Sequence, residues 1–123
     1  FDLVPGSANG MTFCQGCFTE MGVDVPAAIR NFASQGKIHF AHFRNVKGTS
    51  ENFVETFHDD VGNTDMYEAM KAYLEAGFTG PMRPDHAPTM EPEENDHPGY
   101  GKLGRMLAVG YMRGLLEAIR KSG

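Results

Sequence analysis

Apolar positions along the chain alternate between two spacings, one typical of short buried strands and one typical of amphipathic helices. Strand-like runs cover residues 11–14, 37–45 and 80–85. Each run is followed by apolar residues at helical spacing, within residues 25–35, 65–76 and 103–119. Three consecutive strand–helix units predict parallel strands that are joined by right-handed crossovers.

Local capping signals mark the first two helices. Asp24 precedes a Val-Pro pair, which is typical of an N-cap followed by proline in the first helical turn, and Gly36 is placed to end this helix. Asp65, with Glu68 three residues later, forms an Asp variant of the capping box at the start of the second helix. Both helices are therefore predicted from local chemistry as well as from apolar spacing.

Three connecting segments are predicted to be loops. Residues 46–63 are polar, and residues 87–101 are acidic and proline-rich. The segment after the first strand contains Gly16, Thr19 and Gly22, which also favour a loop. Regular structure is therefore expected only in the strand–helix units.

Three parallel strands are too few for an independent sheet, because parallel sheets are covered on both faces or closed into a barrel. A (β/α)8 TIM barrel typically needs roughly 250 residues, and this chain has 123. The pattern therefore predicts an α/β fold with about three of the eight units of a TIM barrel. A small doubly wound sheet is the alternative. The chain starts with Phe1 rather than Met, which indicates that it is cut from a longer protein.

Composition and charge argue against several partners. The chain has 11 Lys and Arg residues against 16 Asp and Glu residues, a formal charge of −5 and no basic run, so nucleic acid is not an expected partner. Its apolar runs are too short to cross a bilayer, so no membrane partner is expected. Its two cysteines are too close together for a secreted-type disulfide framework, which favours the cytoplasm.

Three side chains with metal-binding donors end the three predicted strands. Cys14 ends the first, His42 lies near the end of the second, and Asp85 ends the third. Because the carboxyl ends of parallel strands lie at one edge of a sheet, these side chains are expected to converge there. A thiolate, an imidazole and a carboxylate suit Mn, Fe or Zn better than Ca.

Other candidate site residues lie near the same edge. Arg44 and Asn45 follow His42 and could hold a carboxylate, although a solvated charge at a strand end is an equal alternative for Arg44. His58 could contact a substrate or belong to a turn. His86 and Tyr100 are suitable acid and base partners.

The spacing Cys14-Gln-Gly-Cys17 permits several interpretations. A redox pair is expected at the head of a helix that stabilises its thiolate, whereas this segment is predicted to be a loop. A zinc ribbon needs a second cysteine pair, and the chain has two cysteines in all. A metal-binding Cys14 beside an incidental Cys17 is the interpretation that the strand position of Cys14 favours.

A series of motifs in order along the chain resembles the C-terminal part of bacterial mannonate dehydratases. They are Asn-Gly-Met-Thr-Phe-Cys at 9–14, Ile-His-Phe-Ala-His-Phe-Arg-Asn at 38–45, Thr-Asp-Met-Tyr-Glu at 64–68, Pro-Met-Arg-Pro-Asp-His at 81–86, Gly-Tyr at 99–100 and Tyr-Met-Arg-Gly at 111–114. The match covers almost the whole chain. Cys17 departs from the family pattern.

The resemblance implies a (β/α)8 barrel that converts D-mannonate to 2-keto-3-deoxy-D-gluconate with Mn²⁺ or Fe²⁺ in hexuronate and glucuronate catabolism. By position, it implies that Cys14, His42 and Asp85 are metal ligands and that His86 and Tyr100 act in the chemistry. A fourth ligand, a His on an earlier strand, would lie outside this chain.

The resemblance also implies that residues 1–123 are the C-terminal fragment of a single TIM-barrel domain and hold its last three βα units, with the upstream units absent. The fragment alone is expected to be inactive, and the full-length protein is expected to be a homo-oligomer. Arg44 would orient the substrate carboxylate. Two alternatives are a metal-dependent sugar isomerase or epimerase of the same barrel type, and a noncatalytic fragment with a redox or zinc role for Cys14 and Cys17.

Overall fold

Strands and helices alternate along most of the chain. The computed structural model describes residues 1–59 and 61–123. Within these residues the strands are β1 (Met11–Cys14), β2 (Ile38–His42), β3 (Val46–Thr49), β4 (Asn52–Glu55) and β5 (Met82–Arg83). The helices are α1 (Gln15–Glu20), α2 (Val25–Ser34), α3 (Met66–Glu75) and α4 (Lys102–Ser122).

The central sheet consists of β1, β2 and β5 in the order β1-β2-β5, and both strand pairs are parallel. Cys14 lies opposite His42, and His42 lies opposite Arg83, so the carboxyl ends of the three strands are level. The predicted α/β fold with parallel strands is confirmed. Strands β2 and β5 are shorter than predicted, because the chain turns toward β3 after β2 and Pro84 cannot donate to the sheet beyond β5.

The capping residues of α2 and α3 have the predicted contacts. The backbone N–H of Ala27 donates to Asp24 Oδ1 over 3.0 Å, and that of Glu68 donates to Asp65 Oδ1 over 3.0 Å. Both helices and both N-caps are therefore confirmed. The final helix, α4, is slightly longer than predicted. In the described residues, none of the helices has the length and apolar character needed to cross a membrane.

The hydrophobic core lies between the sheet and helices α1, α2 and α3. Phe13 of β1 is fully buried, and its ring stacks on that of Phe18 with centroids 4.2 Å apart. The Phe13 and Tyr73 rings form a T-shaped pair with centroids 6.4 Å apart, and Ile29 of α2 is also fully buried. Burying one such side chain contributes roughly 1.5–3 kcal/mol. This packing holds the strands, and therefore their carboxyl ends, in place.

Residues 15–20 form helix α1, so the prediction of a loop directly after β1 is wrong. Tertiary contacts outweigh the low helix propensity of Gly16 and Thr19. The Thr19 hydroxyl donates to the Gln15 carbonyl over 2.8 Å and is hydrogen bonded to the Thr64 hydroxyl over 2.7 Å. The buried Gln15 amide donates to the Arg44 carbonyl over 3.3 Å. A Cβ at position 16 would lie 2.8 Å from the Arg44 side chain, so a larger residue there would displace a guanidinium that pairs with Glu20 and Glu55.

The segment 46–63 contains an antiparallel hairpin of β3 and β4, so the prediction of a loop throughout it is wrong. Val46 pairs with Glu55 at the base of this hairpin. Near its tip, the backbone N–H of Ser50 donates to the carbonyl of Glu20 at the end of α1 over 3.0 Å. The docking of the hairpin on α1 supplies the contacts that stabilise it.

Candidate functional site

Three side chains with metal-binding donors meet at the carboxyl edge of the parallel sheet. Cys14 ends β1, His42 ends β2, and Asp85 follows β5. His42 Nδ1 lies 3.3 Å from Asp85 Oδ2, and Cys14 Sγ lies 4.0 Å from the same oxygen. One possible ligand atom from each residue lies within 4.8 Å of the other two. The structure therefore brings together the three residues that were predicted to bind a metal.

Asp85 has an unusual backbone conformation at this edge. Its φ angle is 62°, in the left-handed region where Asp and Asn are the commonest residues after glycine. The ring of His58 is 2% exposed, and its Nε2 donates to the Pro84 carbonyl over 2.9 Å, which holds the peptide just before Asp85. The Arg83 guanidinium donates to Asp85 Oδ1. These contacts orient the carboxylate toward the other two donors.

The electrostatic surroundings favour an ionised Asp85 and a neutral His42. Burial would raise the pKa of Asp85, but the hydrogen bond from Arg83 and the nearby imidazoles lower it below its ordinary value. Burial lowers the pKa of His42 and outweighs the Asp85 carboxylate, which would raise it. Ligands bind metals in these forms. With the Cys14 sulfur they make a borderline-soft donor set that fits a divalent first-row metal.

The two residues predicted to move protons are also in contact. His86 Nε2 lies 2.8 Å from the Tyr100 hydroxyl oxygen. The backbone brings them together, because Ala87 bridges to Tyr100 and its N–H donates to the Gly99 carbonyl over 3.0 Å. His86 Nε2 also lies 3.8 Å from Asp85 Oδ1. An imidazole and a phenol hydrogen bonded beside metal-binding donors can hold and pass a proton.

Arg44 is buried and already binds two carboxylates, those of Glu20 and Glu55. Its Nε lies 3.0 and 2.9 Å from the two Glu55 oxygens, and its second terminal nitrogen lies 2.6 Å from Glu55 Oε1 and 2.9 Å from Glu20 Oε1. The remaining nitrogen lies 3.8 Å from Cys14 Sγ and 3.9 Å from Cys17 Sγ. Burial would lower the pKa of Arg44, but the Glu55 carboxylate raises it above its ordinary value. The contact of Arg44 with a substrate carboxylate stays a prediction.

Asn45 and His58, the other two predicted substrate contacts, have structural hydrogen bonds. Asn45 is fully buried, and its amide donates to the Thr64 carbonyl over 3.1 Å while its side-chain oxygen accepts the Val46 N–H over 3.0 Å. Burial lowers the pKa of His58, although its bond to the Pro84 carbonyl would raise it. The structure does not bring either side chain into the donor cluster. Their contact with substrate stays a prediction.

Cys17 lies within α1, whereas Cys14 ends β1. Both cysteines are free. Partial burial of the sulfur and its hydrogen bond with Cys14 raise the pKa of Cys17 to about 11. A raised pKa disfavours the thiolate, which is the form that attacks disulfides. Because α1 begins directly after Cys14, the pair lies at the head of a helix, so the predicted loop no longer argues against a redox pair. In the described residues the three-donor group joins Cys14 with His42 and Asp85, not with Cys17.

Comparison with known proteins identifies the family. The sequence profile of the family described as D-mannonate dehydratase (UxuA) matches residues 1–123. The chain belongs to this family. The resemblance predicted from its motifs is therefore confirmed.

Known mannonate dehydratases are similar to this chain but longer. Mannonate dehydratase 2 of Halalkalibacterium halodurans is 43% identical over 114 residues, which cover 90% of this chain and 33% of that protein. The mannonate dehydratase of Thermotoga petrophila is 44% identical over 116 residues, which cover 92% of this chain and 32% of that protein. The crystal structure of mannonate dehydratase from Streptococcus suis serotype 2 matches with a TM-score of 0.91 and 32% identity, over 98% of this chain and 35% of that one. The chain thus spans about a third of the length of these relatives.

Two carboxylates at the site of this mannonate dehydratase family member were not predicted from the sequence. Glu20 and Glu55 both bind Arg44, and Glu55 Oε1 also lies 3.2 Å from His86 Nδ1. Glu55 lies in strand β4 of the hairpin, within the polar segment 46–63 that was predicted to be a loop. Because its approach to His86 depends on that hairpin, no local sequence signal could have indicated it.

Proposed function

We propose that the protein containing this chain is a hydro-lyase that converts D-mannonate to 2-keto-3-deoxy-D-gluconate in hexuronate and glucuronate catabolism. Family membership supports the substrate and the reaction. The observation that carries the proposal is the adjacency of three metal-binding donors and an imidazole–phenol pair at one sheet edge. Loss of water from a dihydroxy acid benefits from both a Lewis acid and groups that move protons.

We place the chain as the last three βα units of a (β/α)8 TIM barrel, the C-terminal part of a single domain. The parallel strand order, the match to the Streptococcus suis enzyme and the coverage of about a third of the relatives support this placement. The remaining units would supply the fourth metal ligand, expected to be a His. The complete enzyme is proposed to be a cytoplasmic homo-oligomer.

Cys14, His42 and Asp85 would hold a divalent metal, for which we propose Mn²⁺ or Fe²⁺. Sulfur, nitrogen and oxygen donors together suit these ions better than the hard ion Ca²⁺. When bound, the ion would supply a Lewis acid for the oxygen atoms at the carboxylate end of the sugar acid. The ionised Asp85 and the neutral His42 need no further proton loss before they coordinate it.

His86 and Tyr100 would carry the two proton transfers. One residue takes the C2 proton, which the neighbouring carboxylate makes weakly acidic, and the other protonates the C3 hydroxyl so that it leaves as water. The C2–H and C3–O bonds break, and the resulting enol converts to the keto product. The hydrogen bond of 2.8 Å between the two residues allows a proton to pass between them and restore the pair. The geometry allows either residue to serve as the base.

The test is turnover by the full-length protein that contains this chain. With D-mannonate and Mn²⁺, we expect 2-keto-3-deoxy-D-gluconate as the product by mass spectrometry. His42→Ala and Asp85→Ala should each lower the activity by more than about 10- to 100-fold, which is the loss typical when a residue that only supports a metal ligand is changed. A product that keeps its water would instead indicate a sugar isomerase or epimerase. Absence of the keto acid, or full activity in both variants, contradicts the proposal.

A further inference from the structure

Glu55 is a carboxylate that the proposed reaction does not use, although it touches a side chain proposed to move protons. It is the last residue of β4 and pairs with Val46 across the hairpin. Asn45 holds the base of the hairpin, because its side-chain oxygen accepts the Val46 N–H over 3.0 Å and its carbonyl accepts the Thr56 N–H over 3.3 Å. The backbone on both sides of Glu55 is therefore anchored.

The two ring nitrogens of His86 have different partners. Nδ1 lies 3.2 Å from Glu55 Oε1, and Nε2 lies 2.8 Å from the Tyr100 hydroxyl oxygen. An ionised carboxylate can only accept hydrogen bonds, so the proton of a neutral ring lies on Nδ1 and is donated to Glu55. Nε2 is then the acceptor that faces Tyr100. The position of Glu55 thus selects which nitrogen is free for proton transfer.

We propose that Glu55 is a positioning residue that fixes the ring orientation and the tautomer of His86. The inference rests on the proposed function, in which His86 and Tyr100 move the protons. The Glu55 side chain is 24% exposed and that of His86 is 30% exposed, so water competes only in part for their hydrogen bond. An imidazole oriented by a carboxylate on its remote nitrogen is a general device for holding a proton-transfer group in one geometry.

Arg44 provides an internal control for this role. It binds Glu55 and Glu20, at 2.6 and 2.9 Å from the same guanidinium nitrogen. In the part of the chain that the structure describes, the Glu20 carboxylate pairs with Arg44 but not with His86. Removal of Glu20 takes a single hydrogen-bonded ion pair from Arg44 and leaves the His86 ring held. Removal of Glu55 takes a bidentate ion pair from Arg44 and also releases the His86 ring.

The kinetic test uses the full-length enzyme with D-mannonate and Mn²⁺. We expect Glu55→Leu to lower kcat by about 100-fold and Glu55→Gln, which keeps the shape and an accepting oxygen, by about tenfold. KM and the bound Mn²⁺ should remain as in the parent. Glu20→Gln should lose less kcat than Glu55→Gln. Glu55→Gln nearly preserves the side-chain volume, so its kcat tests the proposal even if Glu55→Leu fails to fold. Unchanged kcat in Glu55→Gln, or an equal loss in Glu20→Gln, overturns the proposal.

Nitrogen NMR of the metal-free enzyme, labelled at its histidine rings, tests the tautomer without turnover. The His86 signal is assigned by its absence from the His86→Asn variant. We expect the proton on Nδ1 in the parent and a loss of that preference in Glu55→Gln. A parent ring protonated at Nε2 alone contradicts the inference. A ring protonated at Nδ1 in an enzyme that does not dehydrate D-mannonate would contradict the proposed function and leave the role of Glu55 intact.

Discussion

The candidate site has two sides of different construction, the sheet edge and the β3–β4 hairpin. The sheet edge carries Cys14, His42 and Asp85 at the ends of strands that pack on the buried core. The hairpin carries Glu55 on a two-stranded ribbon whose residue Phe53 is 39% exposed. Backbone pairing fixes Cys14 and His42, and contacts from Arg83 and His58 fix Asp85 just beyond β5. Ion pairing and the hairpin base fix Glu55. Changes at or beside the sheet edge should therefore reduce metal binding or activity more than a change in the hairpin backbone does.

The largest effect is expected beside the sheet edge, for Tyr100→Phe. This change removes the hydroxyl that is hydrogen bonded to His86 and leaves the ring in place. We therefore expect kcat to fall by about 10²- to 10⁴-fold, the usual contribution of general acid–base catalysis. Steady-state kinetics on D-mannonate measure the loss, and metal analysis should give the parent content of Mn²⁺. A kcat that falls less than about tenfold would remove Tyr100 from the proton transfers.

An intermediate effect separates the two cysteines at the sheet edge. Cys14→Ser replaces a soft sulfur donor and should weaken Mn²⁺ binding by more than about tenfold. Cys17→Ser is the matched control and should leave the affinity unchanged, because in the described residues Cys17 lies outside the group of three donors. Isothermal titration of Mn²⁺ into the metal-free full-length enzyme compares them. Equal losses would show that the two sulfurs act as a unit.

The smallest effect is expected in the hairpin, for Gly48→Ala. Gly48 has a φ angle of 123°, and a Cβ there would lie 2.2 Å from the Asn52 carbonyl oxygen, so alanine should strain the hairpin by about 1–3 kcal/mol. Displacement of Glu55 should lower kcat without loss of bound Mn²⁺. As a control, Lys47→Ala, at an exposed position of the same strand, should lower kcat less. Thermal unfolding and kcat are measured together. Loss of bound Mn²⁺ in Gly48→Ala would show that the two sides of the site are not separable.

The same difference explains which parts of the fold could be predicted from the sequence. Asp24 and Asp65 act on backbone groups three residues away, so α2 and α3 have local signals. The convergence of the metal-binding donors follows from parallel pairing and could be predicted once three strands were recognised. When parallel strands can be recognised in a sequence, the residues at their carboxyl ends can therefore be predicted to lie close together.

Helix α1 and the hairpin could not be predicted, because distant contacts stabilise them. Thr19 in α1 is hydrogen bonded to Thr64, 45 residues away. The hairpin turns at Ser50 and Glu51, which carry none of the Asn-Gly or Asp-Gly signals of tight hairpin turns. Glu55 reaches His86 across 31 residues of sequence. Contacts between residues this far apart in sequence are known only from the folded structure.

The binding of a metal by Cys14, His42 and Asp85 is tested most directly by a crystal structure of the full-length enzyme with Mn²⁺, measured for anomalous scattering. We expect one strong anomalous peak within bonding distance of Cys14 Sγ, a ring nitrogen of His42 and a carboxylate oxygen of Asp85, with His86 and Tyr100 beside it. A peak bound elsewhere, or one that lacks any of these three ligands, would contradict it.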